Sequence, residues 1–208
     1  MIAYKFRTAH NFDFVVDIVI NKRLFCSDAR ALNDIREADI RMGIDSGRES
    51  EAMQFANEVN NALNRYRVCS LCQTFDNHLL WAYYAAGSTG LAIEVEIPDD
   101  DVIHVDYDDN TVFLSDYLDQ RDAEAAARAS LSRKYSVWSH EQEVRIVKND
   151  SYYNLSTPIS KIIVGSRMSR SMVSALYLIC SPYGIQLDRA VVSDAGIEAY
   201  SVPPIVLS

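Results

Sequence analysis

Apolar and polar residues alternate over residues 2–7, the period of a half-buried strand, and the spacing then turns helical. From Asn11, a good N-cap residue, Phe12, Val15, Val16, Val19 and Ile20 recur so as to predict one apolar helix face. Leu24-Phe25-Cys26 predicts a short strand, while residues 27–45 show no clean period and read as a loop with one helical turn. Residues 49–66 predict a helix burying Met53, Phe55, Ala56, Val59, Ala62 and Leu63. A strand at 68–71, a helix at 77–86 ending at Gly87, and a strand at 91–97 closed by Pro98 follow. Beyond these the pattern predicts a strand at 102–107, an alanine-rich helix at 115–135, strands at 143–147 and 159–164, a helix at 169–179 and a strand at 185–192. Helices of unequal length between strands, without a regular βαβ rhythm, indicate a mixed α+β fold rather than a doubly wound parallel sheet.

The 208 residues fit one domain, residues 1–208, and 49% hydrophobic with 24% charged residues is ordinary for a globular chain. The start Met1-Ile2-Ala3-Tyr4-Lys5-Phe6-Arg7 lacks a secretory pattern, and no apolar run reaches the ~20 residues of a membrane span, so a soluble cytoplasmic protein with no membrane partner is expected. Cys26, Cys69, Cys72 and Cys180 are too few for a disulfide framework, which agrees with a reducing compartment. With 20 basic against 29 acidic residues the charge is -9, and the average field repels polyanions without excluding a local basic groove.

Most familiar chemistries lack their residues. Seven glycines supply no phosphate loop or dinucleotide fingerprint, and no serine-hydrolase elbow is present. His10, His78, His104 and His140 are scattered, and the Cys69–Cys72 pair has no second pair to complete a zinc site. Asp99-Asp100-Asp101, with Asp106, Asp108 and Asp109 nearby, reads as a solvated turn or as oxygen ligands for a hard cation, the latter leaving a metal-dependent nuclease as one reading. What stands out is Trp81-x-x-Tyr84 and the cluster Lys134, Trp138, Glu141, Glu143 and Arg145. In a strand Glu141, Glu143 and Arg145 share one face, where they form either a structural ion-pair ladder or a site for a polar ligand. Trp138 and Tyr84 are either stacking surfaces or core.

These residues resemble a bacterial family known as a domain of unknown function. Its members open with Tyr-Lys-aromatic-Arg (Tyr4-Lys5-Phe6-Arg7) and carry Asn-Asp after a serine-bearing strand (Ser27, then Asn33-Asp34). They then show Asp-Asn before a Trp-x-x-Tyr-Ala helix and a glycine (Asp76, Asn77, Trp81, Tyr84, Ala85, Gly90), and Lys…Trp-x-x-Glu-x-Glu-x-Arg (Lys134, Trp138, Glu141, Glu143, Arg145). The chain departs at Ile35, where the family has proline, at Cys72, where serine is frequent, and at Tyr83, where histidine is common.

That family is in turn similar to the ADP-ribosyltransferase fold, especially to DNA-targeting toxins that open with Tyr-His-x-Thr before an Asn-led helix, here Tyr4-Lys5-Phe6-Arg7-Thr8 and Asn11. The resemblance implies mainly antiparallel sheets with flanking helices and NAD as substrate, in a toxin or phage-defence effector. The acceptor would be a protein or nucleic acid, with an antitoxin or regulatory partner. It further implies Glu143 as the catalytic carboxylate at the ribose and Glu141 as a second glutamate orienting the acceptor. Tyr84 would face nicotinamide and Lys5 or Arg7 the pyrophosphate, with Ser27, Trp81, Trp138 and Arg145 completing the binding set. Cleaving the nicotinamide–ribose bond passes through an oxocarbenium-like transition state, which needs these charges. The alternative is a non-catalytic nucleotide- or protein-binding module on the same fold. Two geometric expectations follow: the strands at residues 4–7, 68–71 and 143–147 surround one cleft, and both glutamates reach it while Val144 and Ile146 enter the core.

Overall fold

The computed structural model describes residues 1–32, 40–43, 47–194 and 196–203. The alternating start is strand β1 (Ile2–Arg7), and the helical spacing after it is α1 (Phe12–Asn21). Asn11 takes the N-cap position without a side-chain cap bond, and the buried stripe of α1 is Val15, Ile18 and Val19, so Ile20 is exposed. Strands β2 (Arg23–Phe25), β3 (Ser27–Asp28) and β4 (Ile40–Arg41) follow, with a 3-10 turn at Ala29–Ala31. Asn33, Asp34 and Ile35 lie outside the described residues.

Helix α2 (Glu49–Arg65) buries Ala52, Phe55, Val59, Ala62 and Leu63, a stripe at helical spacing that leaves Met53 outside. Next come β5 (Arg67–Cys72), α3 (His78–Tyr83), capped by Asn77, and β6 (Leu91–Glu96). The strand expected at 102–107 is divided into β7 (Ile103–His104) and β8 (Asp106–Tyr107), because the Val105 N–H still bonds Glu143 O while the Asp106 N–H bonds Ser132 O. After β9 (Val112–Phe113), the long helix expected at 115–135 is also divided. Arg121 takes a left-handed φ of 49° between α4 (Ser115–Leu118) and α5 (Ala123–Leu131), Asp122 caps α5, and Lys134 falls in strand β10 (Arg133–Lys134). The chain continues through β11 (Glu143–Lys148), β12 (Tyr152–Asn154), β13 (Lys161–Val164), α6 (Arg170–Cys180) and a hairpin of β14 (Gln186–Ser193) with β15 (Gly196–Ser201), whose second strand the hydrophobic pattern did not show.

The fold is mixed α+β and mainly antiparallel. The large sheet runs β15-β14-β13-β6-β1-β5-β11-β7, with β3 also on β5, and β13–β14 is its parallel pair. One face packs on α1 and α6 through Val15, Ile18, Val19, Val173 and Leu176, and there Val144 and Ile146 enter the core as expected. A second cluster joins α2 to α5, and a third sets α3 against Phe6 and Ala92.

The sheet is parted at its centre. β1 pairs with β6 over all six residues and β5 with β11 over all six, yet β1 and β5 meet in register at Tyr4↔Cys72 alone. On that same edge of β5, β3 takes over at Val68 and Arg67. The edge of β5 between these contacts is therefore open, and a buried strand edge must satisfy its polar groups some other way. Lys5 does this, its ammonium donating to Ser70 O at 2.6 Å.

Candidate functional site

A cavity of about 260 Å³ opens over this notch. Tyr4, Lys5, Phe6 and Arg7 of β1 line one wall, Val68, Ser70 and Cys72 of β5 the floor, and Tyr84, Lys134, Glu141 and Glu143 the far wall, with Ser27, Asn11, Phe14 and Phe25 at the mouth. The three strands expected around one cleft are thus neighbours in one sheet, and both glutamates reach it.

The far wall is a closed ionic network. Lys134 Nζ lies 2.6 Å from Glu141 Oε2 and 2.9 Å from Glu143 Oε2. Arg145 grips Glu143 through Nε at 2.7 Å and Nη2 at 3.2 Å, and its Nη1 donates to Leu131 O at 2.7 Å. Tyr84 donates its phenolic proton to Glu141 Oε1 at 2.6 Å. Two cations thus face two carboxylates, all four buried, and such a set holds together only because each charge has its partners. Burial pushes the Glu143 carboxyl up, but Arg145 and Lys134 outweigh it and hold it at about 2. Burial and the Glu141 carboxylate push the Tyr84 hydroxyl up, so it stays a donor.

Local structure sets these positions. Glu143 begins β11 on the face shared with Arg145, as alternation requires. Glu141 is not in that strand: it ends the 3-10 helix Ser136–Glu141, and Gln142, in a left-handed conformation at φ 44°, turns the chain into β11. The two carboxylates nonetheless converge because Lys134 receives both. Asn77, besides capping α3 at Leu79 N, donates through Nδ2 to His140 O at 2.9 Å, tying α3 to the residue before Glu141. Tyr107 OH accepts the Glu143 N–H at 2.7 Å.

The near wall is different. Arg7 has no carboxylate partner among the described residues, its buried Nε has no hydrogen-bond acceptor, and its guanidinium lies 5.5 Å from the Phe14 ring centre. Lys5 likewise has no carboxylate, and burial pulls its ammonium pKa down. The cavity therefore sets two cations without carboxylates against a neutralised far wall, an arrangement that attracts an anion.

Lys5, Arg7, Ser27, Tyr84, Glu141 and Glu143 all line the cleft. Trp81, Trp138 and Arg145 stand elsewhere. Trp81 is buried edge-on against Phe6 at 5.2 Å and donates to Phe75 O, because an indole that large completes the α3 core. Trp138 sits behind the network, 5.5 Å from the Lys134 ammonium, and Arg145 is wholly enclosed behind Glu143. Tyr107, Phe14 and Phe25 carry no local pattern that marks them as site residues. Tyr107 belonged to the strand expected at 102–107, but nothing local tied it to Glu143.

The acidic turn does not gather as a metal centre. Asp99 pairs with the Met1 ammonium at 2.8 Å, Asp101 accepts from Tyr153 OH at 2.5 Å, and no group of His, Cys, Asp and Glu among the described residues is arranged to hold a metal ion. No helix among the described residues is long and apolar enough to cross a membrane. No family model, curated protein or solved structure matches this chain.

Proposed function

We propose that the chain is an NAD-consuming ADP-ribosyltransferase or NAD glycohydrolase of ADP-ribosyltransferase-like fold, with the cleft between β1 and β5 as its NAD site. The observation that carries this reading is the polarity of the cleft: Lys5 and Arg7, without carboxylate partners among the described residues, face Glu141 and Glu143 across one cavity. The pyrophosphate lies on the two cations, where its charge is matched. The nicotinamide riboside reaches toward Tyr84 and the glutamates. A volume of about 260 Å³ is below the usual range for a whole drug-sized ligand, so it suits one end of NAD with the remainder along the mouth near Phe14 and Phe25.

In this reading Glu143 stays ionised at every physiological pH and supplies negative charge near the oxocarbenium-like ribose. Lys134 and Arg145 fix its position, and Tyr84 and Lys134 fix Glu141 beside it. Attack by water gives hydrolysis, and attack by a protein or nucleic-acid acceptor gives transfer. A toxin or defence role, with an antitoxin or other regulatory partner, belongs to the same proposal.

A second reading has its own support. Every Glu143 oxygen is already engaged by Lys134 or Arg145, which is how a structural ion network behaves and which favours a non-catalytic nucleotide-binding module. NAD consumption by wild type, Glu143→Gln and Glu141→Gln separates the two, with melting temperatures measured in parallel. The transferase reading expects Glu143→Gln to lose a few hundred-fold in turnover, on the order of 3–4 kcal/mol of transition-state stabilisation. It expects Glu141→Gln to impair transfer more than hydrolysis. Wild type that binds NAD or ADP-ribose without consuming NAD, across a range of acceptors, leaves the binding module.

A further inference from the structure

The open edge of β5 brings two thiols together beneath the cations of the cleft. In the antiparallel β3–β5 pair, Ser27 lies opposite Val68 and Asp28 opposite Arg67, so the same register carried one residue further sets Cys26 opposite Cys69. The Ala29 N–H bonds Tyr66 O, which makes every second position from there a hydrogen-bonded one and the Cys26–Cys69 position a non-hydrogen-bonded one. Both flanks agree: the Cys26 N–H turns away to Ser151 O, and Cys69 pairs on its other side with Ile146 of β11. Non-hydrogen-bonded cross-strand pairs have Cα atoms about 4.5 Å apart, inside the span a disulfide bridges. Residues directly opposite share a face, and both side chains are buried in the same core cluster. Both thiols are free, and the Cys26 Sγ donates to Leu24 O at 3.9 Å.

The charge around them is lopsided. Lys5 and Arg7 are the cations that act on the Cys69 thiol, and the Lys5 ammonium donates at 2.6 Å to the O of Ser70, the next residue in the chain. The neighbouring Cys26 thiol, with Lys5 and Arg7 behind it, outweighs burial and brings the Cys69 thiol down to about 6, while the same pairing and burial push the Cys26 thiol up. One member is thus a ready nucleophile and the other its proton-bearing partner.

We propose that Cys26 and Cys69 are an oxidation site that closes to a reversible disulfide with a peroxide, and that closure strengthens binding of phosphorylated ligands at Lys5 and Arg7. The second half rests on the reading of the cleft as an anion site. The Cys69 thiolate attacks one peroxide oxygen, the O–O bond breaks, hydroxide leaves, and Cys69 becomes the sulfenic acid. Cys26 Sγ then attacks that sulfur, the S–S bond forms, and the departing hydroxide takes the Cys26 proton as water. Two cysteines are oxidised by two electrons, and one peroxide becomes one water and one hydroxide, the latter taking up the proton that Cys69 released on ionising. The bond removes the negative charge that faces Lys5 and Arg7, leaving both cations to the ligand.

The full chain is treated with hydrogen peroxide, alkylated under denaturing conditions and digested with chymotrypsin, whose cut at Leu71 separates Cys69 from Cys72. The expected product joins the peptide of residue 26 to that of residue 69, lacks two hydrogens, and is undone by dithiothreitol. It forms in Cys180→Ala and is absent from Cys26→Ala. Calorimetry with inorganic pyrophosphate then compares reduced and oxidised wild type, and oxidation tightens binding on the order of tenfold. Cys26 and Cys69 both alkylated after peroxide, Cys69 linked to another cysteine, or Cys69 carried to the sulfinic acid overturns the disulfide. A disulfide with unchanged pyrophosphate affinity overturns the coupling. The mapping needs only wild type, so a misfolded variant does not obscure it, and neither measurement depends on NAD turnover.

Discussion

Lys134 reaches Glu141 at 2.6 Å and Glu143 at 2.9 Å with a single buried ammonium, and so joins a 3-10 turn to the strand that follows it. β10 holds that ammonium in place by pairing parallel to β8, whose Tyr107 also takes the Glu143 N–H. Lys134 thus ties both carboxylates of the far wall to one ammonium, while Arg145 and Tyr84 each hold one of them.

Lys134→Met removes the cation and leaves two carboxylates enclosed, with Arg145 as the remaining countercharge. Breaking one side of a buried ion set costs about 3–5 kcal/mol. Urea unfolding near neutral pH measures it, and a loss below about 1 kcal/mol would mean that water reaches the network and that its burial is not what fixes the carboxylates.

The Glu143 carboxyl, held at about 2 in the folded chain, has an ordinary value of 4.5 when unfolded. A depressed folded pKa contributes stability that is complete above the unfolded value and disappears as pH falls through the folded one. The window is pH 4.5 down to about 2, and the contribution is on the order of 3 kcal/mol. Thermal melts across that window should show the loss in wild type and a flatter profile in Glu143→Gln, which is already less stable at pH 7. Parallel profiles would show that other groups carry the acid transition.

Much of this architecture was legible in the residues. The alternation at residues 2–7 and 143–147 and the apolar stripe of α2 gave elements that the structure holds, because local periodicity reports which face is buried. Glu143 reaches the cleft by the strand alternation expected of it, whereas Glu141 arrives from a 3-10 turn outside that strand, and Tyr84 is assigned to the cleft only through the resemblance. The break at Arg121 was not legible: a left-handed residue inside an alanine-rich stretch leaves no compositional mark, and reading through it hid the strand that carries Lys134. Trp81 and Trp138 misled because an aromatic beside a site has the same local pattern whether it lines the cavity or backs it. Tyr107 was invisible as a site residue because its partner is a backbone N–H thirty-six residues away.

Gly90 gives a backbone test. A Cβ there would stand 2.2 Å from Arg7 O and 3.0 Å from Ala85 Cα, so even alanine must displace the end of β1 or the loop after α3. Overpacking against side chains costs about 1–3 kcal/mol, and backbone yields less readily, so Gly90→Ala should sit at or above the top of that range. Chemical denaturation checks it, and a fully stable variant would mean that β1 and β6 separate there without cost.

Arg7→Met separates a binding role from a structural one, because the two predict opposite signs for stability. A guanidinium kept partly buried with no carboxylate among the described residues, and with Nε lacking an acceptor, is a net expense to the fold. Burial already pulls its pKa down, the sign expected of a cation whose surroundings do not repay its desolvation. Methionine keeps the apolar contact with Phe14, gives up a buried charge that no carboxylate among the described residues matches, and leaves Cys69 free to take a proton. The variant should therefore melt at the same temperature as wild type or higher, by up to about 1 kcal/mol in stability, as replacement of a poorly paired buried ion by an apolar residue generally gives. Affinity for ADP-ribose should fall on the order of tenfold, the effect of removing one cation from a phosphate contact. Lys5→Met should lose similar affinity but also lose stability, since Ser70 O forfeits its donor. Melting curves and calorimetry on the three proteins decide the matter. If Arg7→Met is destabilised by several kcal/mol with ADP-ribose affinity unchanged, the near wall is a structural feature and the anion belongs elsewhere.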